Sequence, residues 1–143
     1  GSTPTVQFCG AASNSYYVII RHRNHLPLMS NALVSLNTTD PGVGSTYDMT
    51  QAANIYQVAT NGLVVDDSPV TYAMAAGNVT NPSWEGSQVY VNAMDYFTVS
   101  AETAGQFGVY NQNDVDIDGS INAFETAFLE ENVNNILSST VPQ

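Results

Sequence analysis

Short apolar runs separated by turn residues fill the first half of the chain and predict β-strands. Residues 16–23 and 26–36 are rich in Val, Ile, Leu and Tyr, which favour strands. Pro27, near the start of the second run, indicates a strand edge or a bend. Residues 37–45 combine Asn, Asp, Pro and Gly and predict a loop. We therefore expect strands up to about residue 76.

The later part of this half contains one candidate hairpin. Residues 47–50 fit a short strand, and residues 51–56 fit no single element. Asn61-Gly62 lies between the apolar residues 56–59 and 63–65, an arrangement that is typical of a β-hairpin. Another turn follows at residues 66–69, and residues 70–76 are predicted to form the last strand.

Beyond Gly77 the apolar spacing becomes helical. Residues 92–104 and, more clearly, residues 122–137 carry apolar side chains every three or four positions. The second segment predicts one apolar stripe along its helix. That stripe comprises Phe124, Phe128, Leu129, Val133, Ile136 and Leu137.

The two helical segments resemble copies of one unit. Residues 91–95 (Val-Asn-Ala-Met-Asp) align with residues 121–125 (Ile-Asn-Ala-Phe-Glu), and each follows a loop. Units this short bury little surface alone and usually pair. The expected fold is therefore α+β: a small antiparallel β-sandwich-like domain, residues 1–76, packed on a pair of loop-helix units, residues 77–143.

The net charge of the chain limits the classes of molecule that it can bind. The 143 residues include 13 Asp and Glu against two Lys and Arg, a formal net charge of −11. Such a surface repels nucleic acid and anionic lipid and attracts divalent cations. No stretch approaches the ~20 apolar residues that a membrane-spanning helix needs. Cys9 is the one cysteine, so an internal disulfide is excluded.

Residues 114–125 match a twelve-residue calcium loop of the EF-hand type. Asp at the first, third and fifth positions and Glu at the twelfth supply the oxygen ligands that calcium prefers, and Gly119 permits the turn around the ion. The seventh residue offers a backbone carbonyl, and the ninth binds directly or through water. Magnesium fits less well because it demands a tight octahedron. The predicted ligands are Asp114, Asp116, Asp118, Ser120, Asn122 and Glu125.

The first unit predicts a weaker calcium site. From residue 78 to residue 95 it spans eighteen positions, so it carries an insertion relative to the standard loop, and it has fewer acidic residues. A smaller ligand charge predicts a lower affinity. The candidate ligands are Asn78, Thr80, Glu85, Asn92 and Asp95.

These motifs together resemble known secreted modules. The paired loop-helix units are similar to type I dockerins. The strand Arg21-His22-Arg23-Asn24 and the later Tyr47-Asp48-Met49-Thr50 are similar to the C-terminal module of large secreted bacterial surface proteins. The resemblance implies a secreted protein with a β part packed on a calcium-bound helical pair. It implies no catalytic activity, and the inserted first repeat puts cohesin binding in doubt.

No catalytic motif competes with this interpretation. Arg21 and Arg23 are expected to pair with carboxylates, and a zinc site at His22 and His25 lacks a third ligand. Nucleophile-elbow, Walker and dinucleotide-binding motifs do not occur. We therefore expect a non-catalytic, extracellular, calcium-binding module for attachment to a cell surface or for assembly with a protein partner.

Two alternatives remain open at this point. An exposed strand edge would allow the chain to pair with copies of itself in a filament or matrix. A carbohydrate-binding domain would instead use exposed aromatic residues, with Trp84 and Tyr90 as candidates for contact with a cell-surface glycan. Asn37 and Asn78 fit the N-glycosylation pattern, which chance alone produces in a chain this rich in Asn and Thr.

Overall fold

A computed structural model describes most of the chain. The described residues are 6, 8, 10–36, 46–67, 69–80, 89–102, 111–135 and 138–141. None of the helices in this part is long and apolar enough to cross a membrane.

The described residues form eight strands and three α-helices. The first four strands are β1 (Asn14–Tyr16), β2 (Ile19–His22), β3 (His25–Met29) and β4 (Val34–Leu36). A 3-10 turn (Ala52–Asn54), α1 (Val58–Asn61), β5 (Gly62–Asp67) and β6 (Val70–Met74) follow. The last elements are β7 (Val89–Tyr90), α2 (Ala93–Glu102), α3 (Ala123–Asn134) and β8 (Ser138–Ser139).

Each strand pairs with one neighbour. The antiparallel pairs are β1–β4, β2–β3, β5–β6 and β7–β8, so the described strands form four two-stranded sheets. Two isolated bridges, His25 with Ala76 and Ser30 with Ile55, add local contacts between segments. The α+β class is therefore confirmed, whereas the described strands do not assemble into the two facing sheets of a sandwich.

The predicted hairpin around Asn61-Gly62 is wrong. Residues 58–61 form α1, and Gly62 begins β5, which pairs with β6 in a register from Gly62↔Met74 to Asp67↔Val70. The hairpin turn therefore falls at residues 67–70, where Asp and Pro favour a tight reversal.

The predicted strand at residues 47–50 is also wrong. Asp48 Oδ1 accepts from the backbone N–H of Thr50 at 2.9 Å and from its hydroxyl at 2.6 Å. An Asp side chain that bonds the backbone two residues ahead forms a turn and competes with extended structure. The local side-chain bonds of Asp48 therefore outweigh the strand preference of Tyr47.

Two strands lie beyond the predicted last one. β7 precedes α2 and pairs with β8 after α3, with Val89 opposite Ser139 and Tyr90 opposite Ser138. The β7–β8 pair therefore joins the segment before α2 to the segment after α3. The predicted helix over residues 122–137 is correspondingly shorter, because α3 ends at Asn134 and the chain turns back toward β7.

The predicted apolar stripe of α3 is confirmed only in part, because Leu129 is buried and Val133 packs against the core while both Phe side chains are exposed. Phe124 is 68% exposed and Phe128 is 47% exposed, whereas Glu125, Leu129 and Asn132 are buried. The buried positions are spaced four and three residues apart, so they share one helix face. The inward position of Glu125 therefore sets the rotation of the helix and turns both Phe side chains toward solvent.

The core joins the two units to each other and to the strands. One buried cluster holds Val79, Val99, Val115 and Leu129, which are one residue from each loop and one from each helix. A second cluster combines Leu26 and Ala75 from the strand region with Val91, and Val133 of α3 packs against it. The predicted boundary at residue 76 therefore crosses a shared core.

Candidate metal centre

A reciprocal pair of hydrogen bonds fixes the start of α3. Asn122 Oδ1 accepts from the backbone N–H of Phe124 at 2.9 Å, and Glu125 Oε2 accepts from the backbone N–H of Asn122 at 2.5 Å. This capping box satisfies amides that a helix start leaves without partners. It also holds the Glu125 carboxylate at a fixed position, facing back toward the preceding loop.

Backbone amides of the loop bond to its own carboxylates. Asp114 Oδ2 accepts from Gly119 N at 3.2 Å, Asp116 Oδ1 from Asp118 N at 3.1 Å, and Asp118 Oδ1 from Ser120 N at 2.7 Å. Each carboxylate is thereby turned inward from its side of the loop. The sequence pattern of alternating Asp residues produces this arrangement locally.

Two residues of the loop adopt the left-handed backbone conformation. Gly119 has a φ of +87° and Ile117 a φ of +66°. Glycine takes up this conformation at little cost, whereas it strains a β-branched residue such as isoleucine. The Ile117 side chain is exposed. Its strained backbone conformation therefore results from the course of the loop and not from burial of the side chain.

The four acidic residues of the predicted site converge. Asp114, Asp116, Asp118 and Glu125 each place one carboxylate oxygen within 4.8 Å of those of the other three. Oxygens that each lie about 2.4 Å from one calcium ion can be separated by at most about 4.8 Å. The cluster therefore has the dimensions of a calcium site.

Two oxygens of this cluster are buried and have no hydrogen-bond partner among the described residues. They are Asp114 Oδ1 and Glu125 Oε1, and their side chains are 3% and 0% exposed. A buried carboxylate oxygen without a partner is strongly unfavourable. A cation bound between the four carboxylates removes this penalty, so the residues present fit a divalent metal.

Burial shifts the acidity of Glu125. Desolvation raises the pKa of this carboxyl above its ordinary value, and the nearby charge of Asp116 adds to the rise. The hydrogen bonds from the backbone N–H groups of Asn122 and Glu125 act in the opposite direction. The direction of the shift is the one expected of a carboxylate that lacks a positive partner.

Asn122 occupies a different place from the one predicted for a direct ligand. Its side-chain oxygen caps α3 and is thereby engaged with the Phe124 amide. The side chain of Ser120 is half-buried at the edge of the loop, and its backbone amide bonds to Asp118. The four carboxylates therefore form the core of the site.

Three of the five candidate ligands of the first unit, Thr80, Asn92 and Asp95, are bonded to one another. Asp95 Oδ1 accepts from Val79 N at 2.9 Å, from Thr80 N at 2.8 Å and from Thr80 Oγ1 at 2.7 Å. Its other oxygen, Oδ2, accepts from Asn92 N at 2.9 Å. Asn78 is fully buried nearby in the chain, and Glu85 lies outside the described residues. The buried Asp95 is therefore saturated by donors of the protein.

Asn24 is a residue of this site that the sequence pattern did not directly indicate. Its side chain is fully buried, and its Nδ2 donates to the backbone carbonyls of Gln112 at 3.0 Å and Asp114 at 2.7 Å. The partners are 88 and 90 positions away along the chain, so local pattern could not reveal them. The Arg21-to-Asn24 motif was the only signal that marked this residue.

Most of the remaining candidate residues lie outside the described part of the chain. Tyr90 is partly exposed in β7, and Trp84, Cys9 and Asn37 lie outside the described residues. The full burial of Asn78 leaves no room for a glycan in the folded chain.

His22 and His25, which were considered as zinc ligands, lie side by side in the β2–β3 hairpin. Their Nδ1 atoms lie 3.0 Å apart and both contact Asn24 Oδ1. The only cluster of His, Cys, Asp and Glu in the described part that fits a metal is the one in the second loop. The two imidazoles therefore contact the side chain of Asn24.

Comparisons with known proteins find no match. No family model, no curated protein and no solved structure resembles the chain significantly. The interpretation of the site therefore depends on its geometry and chemistry.

Proposed function

We propose that this chain is a calcium-binding, non-catalytic module that acts outside the cell in attachment or assembly. The observation that carries the calcium assignment is the pair of buried oxygens, Asp114 Oδ1 and Glu125 Oε1, which lack a partner in the described structure within a cluster of four carboxylates. A bound cation supplies the missing partner for both.

The chemistry of the ligands favours calcium over other common metals. All four converging groups are carboxylates, which suit hard cations, whereas zinc prefers nitrogen and sulfur ligands. The twelve-residue spacing ends in a Glu that calcium can bind through both oxygens. Magnesium retains several waters and a strict octahedron, so a loop of this kind selects against it.

A single calcium ion per chain is the stoichiometry that the two units support. The buried carboxylate of Asp95 already receives four hydrogen bonds from the protein. A cation at the first unit would have to displace these donors. The paired units thus resemble a dockerin-like pair in which one half is held by metal and the other by hydrogen bonds.

We propose an extracellular location because of the proposed use of calcium. Calcium is plentiful outside cells, and extracellular modules use sites with dissociation constants of about 0.1–1 mM. The net charge of −11 supports the same setting, because bound cations relieve the self-repulsion of an acidic chain.

The exposed apolar side chains of the two helices support a role in protein contacts. Met94 and Phe97 of α2 and Phe124 and Phe128 of α3 are all largely exposed. Within each helix the two side chains lie three or four positions apart and so share one face, and exposed apolar faces mark interaction sites. We therefore propose that the helical pair binds a protein partner. The metal would keep in order the helices that carry these side chains.

Calcium titration of the purified chain tests the assignment directly. Isothermal titration should give one saturable site, and chelator should lower the melting temperature. Glu125→Gln should abolish both effects because it removes the charge of the central ligand. Glu130→Gln is the matched control, because Glu130 is an exposed residue of the same helix and should behave like the wild type.

Self-assembly is a second candidate that one observation favours. Tyr17, Ile19 and Ile20 are exposed in and next to β2, which has one strand partner in the described part of the chain. Light scattering in calcium and in chelator separates the two functions. Large particles that shrink in chelator and vanish in Ile20→Lys favour assembly of copies, whereas a monomer in both conditions favours attachment to another protein.

A further inference from the structure

Asn24 lies at the tip of the β2–β3 hairpin, where the strand region meets both loop-helix units. It sits in the turn between His22 and His25, which are paired across the hairpin, and its side chain is fully buried. A buried asparagine at a turn tip, where side chains are usually exposed, needs a structural reason.

The backbone of Asn24 holds the start of the first unit. Its carbonyl oxygen accepts from the backbone N–H of Gly77 at 2.8 Å and from that of Asn78 at 3.1 Å. These residues are the point at which the strand region ends and the first loop begins. The first unit is thereby attached to the hairpin through the main chain of one residue.

The side chain of Asn24 holds the start of the second unit. Its Nδ2 donates to the carbonyl of Gln112 at 3.0 Å and to that of Asp114 at 2.7 Å. Asp114 is the first ligand of the proposed calcium loop. The two hydrogens of one amide group therefore fix the main chain on both sides of residue 113.

Two imidazoles set the orientation of this amide. Asn24 Oδ1 lies 2.8 Å from His22 Nδ1 and 2.7 Å from His25 Nδ1. Because the oxygen faces the imidazoles, the NH₂ group has to face the calcium loop. The histidines next to Asn24 thus serve to aim its donors at the two loop carbonyls.

We infer that Asn24 is a positioning residue that couples calcium in the second loop to the order of the first unit. This inference rests on the calcium binding proposed above. Calcium fixes the main chain around Asp114, and the Asn24 amide is bonded to that main chain. The backbone carbonyl of Asn24 also accepts from the amides of Gly77 and Asn78. Calcium bound in the second loop therefore affects the order of the first unit, which binds no metal, through this asparagine.

Amide hydrogen exchange with and without calcium measures this coupling in the wild-type chain. Calcium should slow exchange at Gly119 and Asn122 within the loop and also at Gly77 and Asn78 in the other unit. Protection of the loop amides without any change at Gly77 and Asn78 would overturn the inference while leaving calcium binding intact. Absence of protection at all four amides would instead overturn the proposed calcium function.

Asn24→Ala separates the coupling from the binding. The variant keeps the backbone carbonyl but loses the two bonds to the loop, so calcium affinity should fall about tenfold, as for other residues that orient metal ligands. At saturating calcium the loop amides should still be protected, and Gly77 and Asn78 should no longer respond. Unchanged affinity together with a retained response at Gly77 would contradict the inference, and the wild-type exchange result decides the question if the variant does not fold.

Asn132→Ala is the matched comparison. Asn132 is another buried asparagine, and its Nδ2 donates to the carbonyl of Ala76 at 2.7 Å, next to Gly77. It thus offers an alternative connection from α3 to the same segment. The calcium response of Gly77 should persist in this variant, whereas its loss here and its retention in Asn24→Ala would assign the coupling to the helix.

Discussion

Asp95 and Glu125 hold the third position of α2 and α3, and both side chains are completely buried. Each accepts from the backbone amide of the asparagine that precedes its helix. The remaining oxygen of Asp95 is bonded by Val79 and Thr80, whereas the remaining oxygen of Glu125 has no partner in the described structure. One position of the repeat is therefore satisfied by protein donors, and the other has an oxygen that could bind a cation.

This difference predicts that the chain binds one calcium ion. Calorimetric titration should give a stoichiometry of one in the wild type and in Asp95→Asn, whose affinity should stay within about threefold. Asp118→Asn should weaken binding about tenfold, because it removes one ligand charge from the second loop. A stoichiometry of two that falls to one in Asp95→Asn would contradict this prediction.

Gly77 is the position where substitution should be costly for two reasons. Its φ is +111°, and an added Cβ would lie 2.9 Å from Leu129 Cγ and 3.3 Å from Val91 Cγ1. Gly77→Ala therefore combines backbone strain with overpacking and should destabilise the chain by at least about 2 kcal/mol. Urea unfolding in calcium measures this loss.

Gly10 provides the control for Gly77. Its φ is +82°, and no described heavy atom lies within 4 Å of an added Cβ. Gly10→Ala should therefore cost about 1 kcal/mol, the backbone strain alone. Equal losses in the two variants would mean that the contact with Leu129 has no effect on stability.

The second loop could be predicted from sequence because its ligands lie within twelve residues. Carboxylates at alternate positions, a glycine and a terminal Glu determine the local geometry wherever the loop sits in the fold. The first unit could not be interpreted in the same way. Whether Asp95 meets a cation or the donors of Thr80 depends on how the intervening residues bring distant segments together.

The α+β class and the helices α2 and α3 were also predictable, whereas the strand pairing was not. Helical spacing marks α2 and α3 within a few residues of their observed ends. The apolar stripe correctly predicted Leu129 and Val133 at the core but not the exposure of Phe124 and Phe128, which lie beside the buried Glu125. Apolar periodicity takes only the apolar residues into account. It therefore cannot predict that a carboxylate is buried because it belongs to a ligand site.

The rotation of α3 predicts that two neighbouring substitutions destabilise the chain to different extents. Leu129 is completely buried among Val79, Val99 and Val115, so Leu129→Ala should destabilise the chain by about 2–5 kcal/mol. Phe128→Ala removes an exposed side chain and should cost less than about 1 kcal/mol. Thermal unfolding of the two variants checks this order, and a larger loss for Phe128→Ala would contradict the observed orientation of the helix.

His25 makes stability depend on pH in a defined window. Burial, then the charges of His22 and Arg23, lower its pKa from 6.5 to about 4. Between these values the unfolded chain binds a proton on His25 and the folded chain does not, so unfolding takes up a proton. Stability from this group is complete above pH 6.5 and falls as the pH drops toward 4, by up to about 3 kcal/mol.

Comparison with His25→Gln isolates this effect from the titration of the many carboxylates. The free energy of unfolding in urea should be measured for both proteins in chelator at several pH values from 7 to 4. The difference between wild type and variant should change steadily in favour of the variant as the pH falls. A difference that stays constant over this range would mean that His25 is as easily protonated in the folded chain as in the unfolded one.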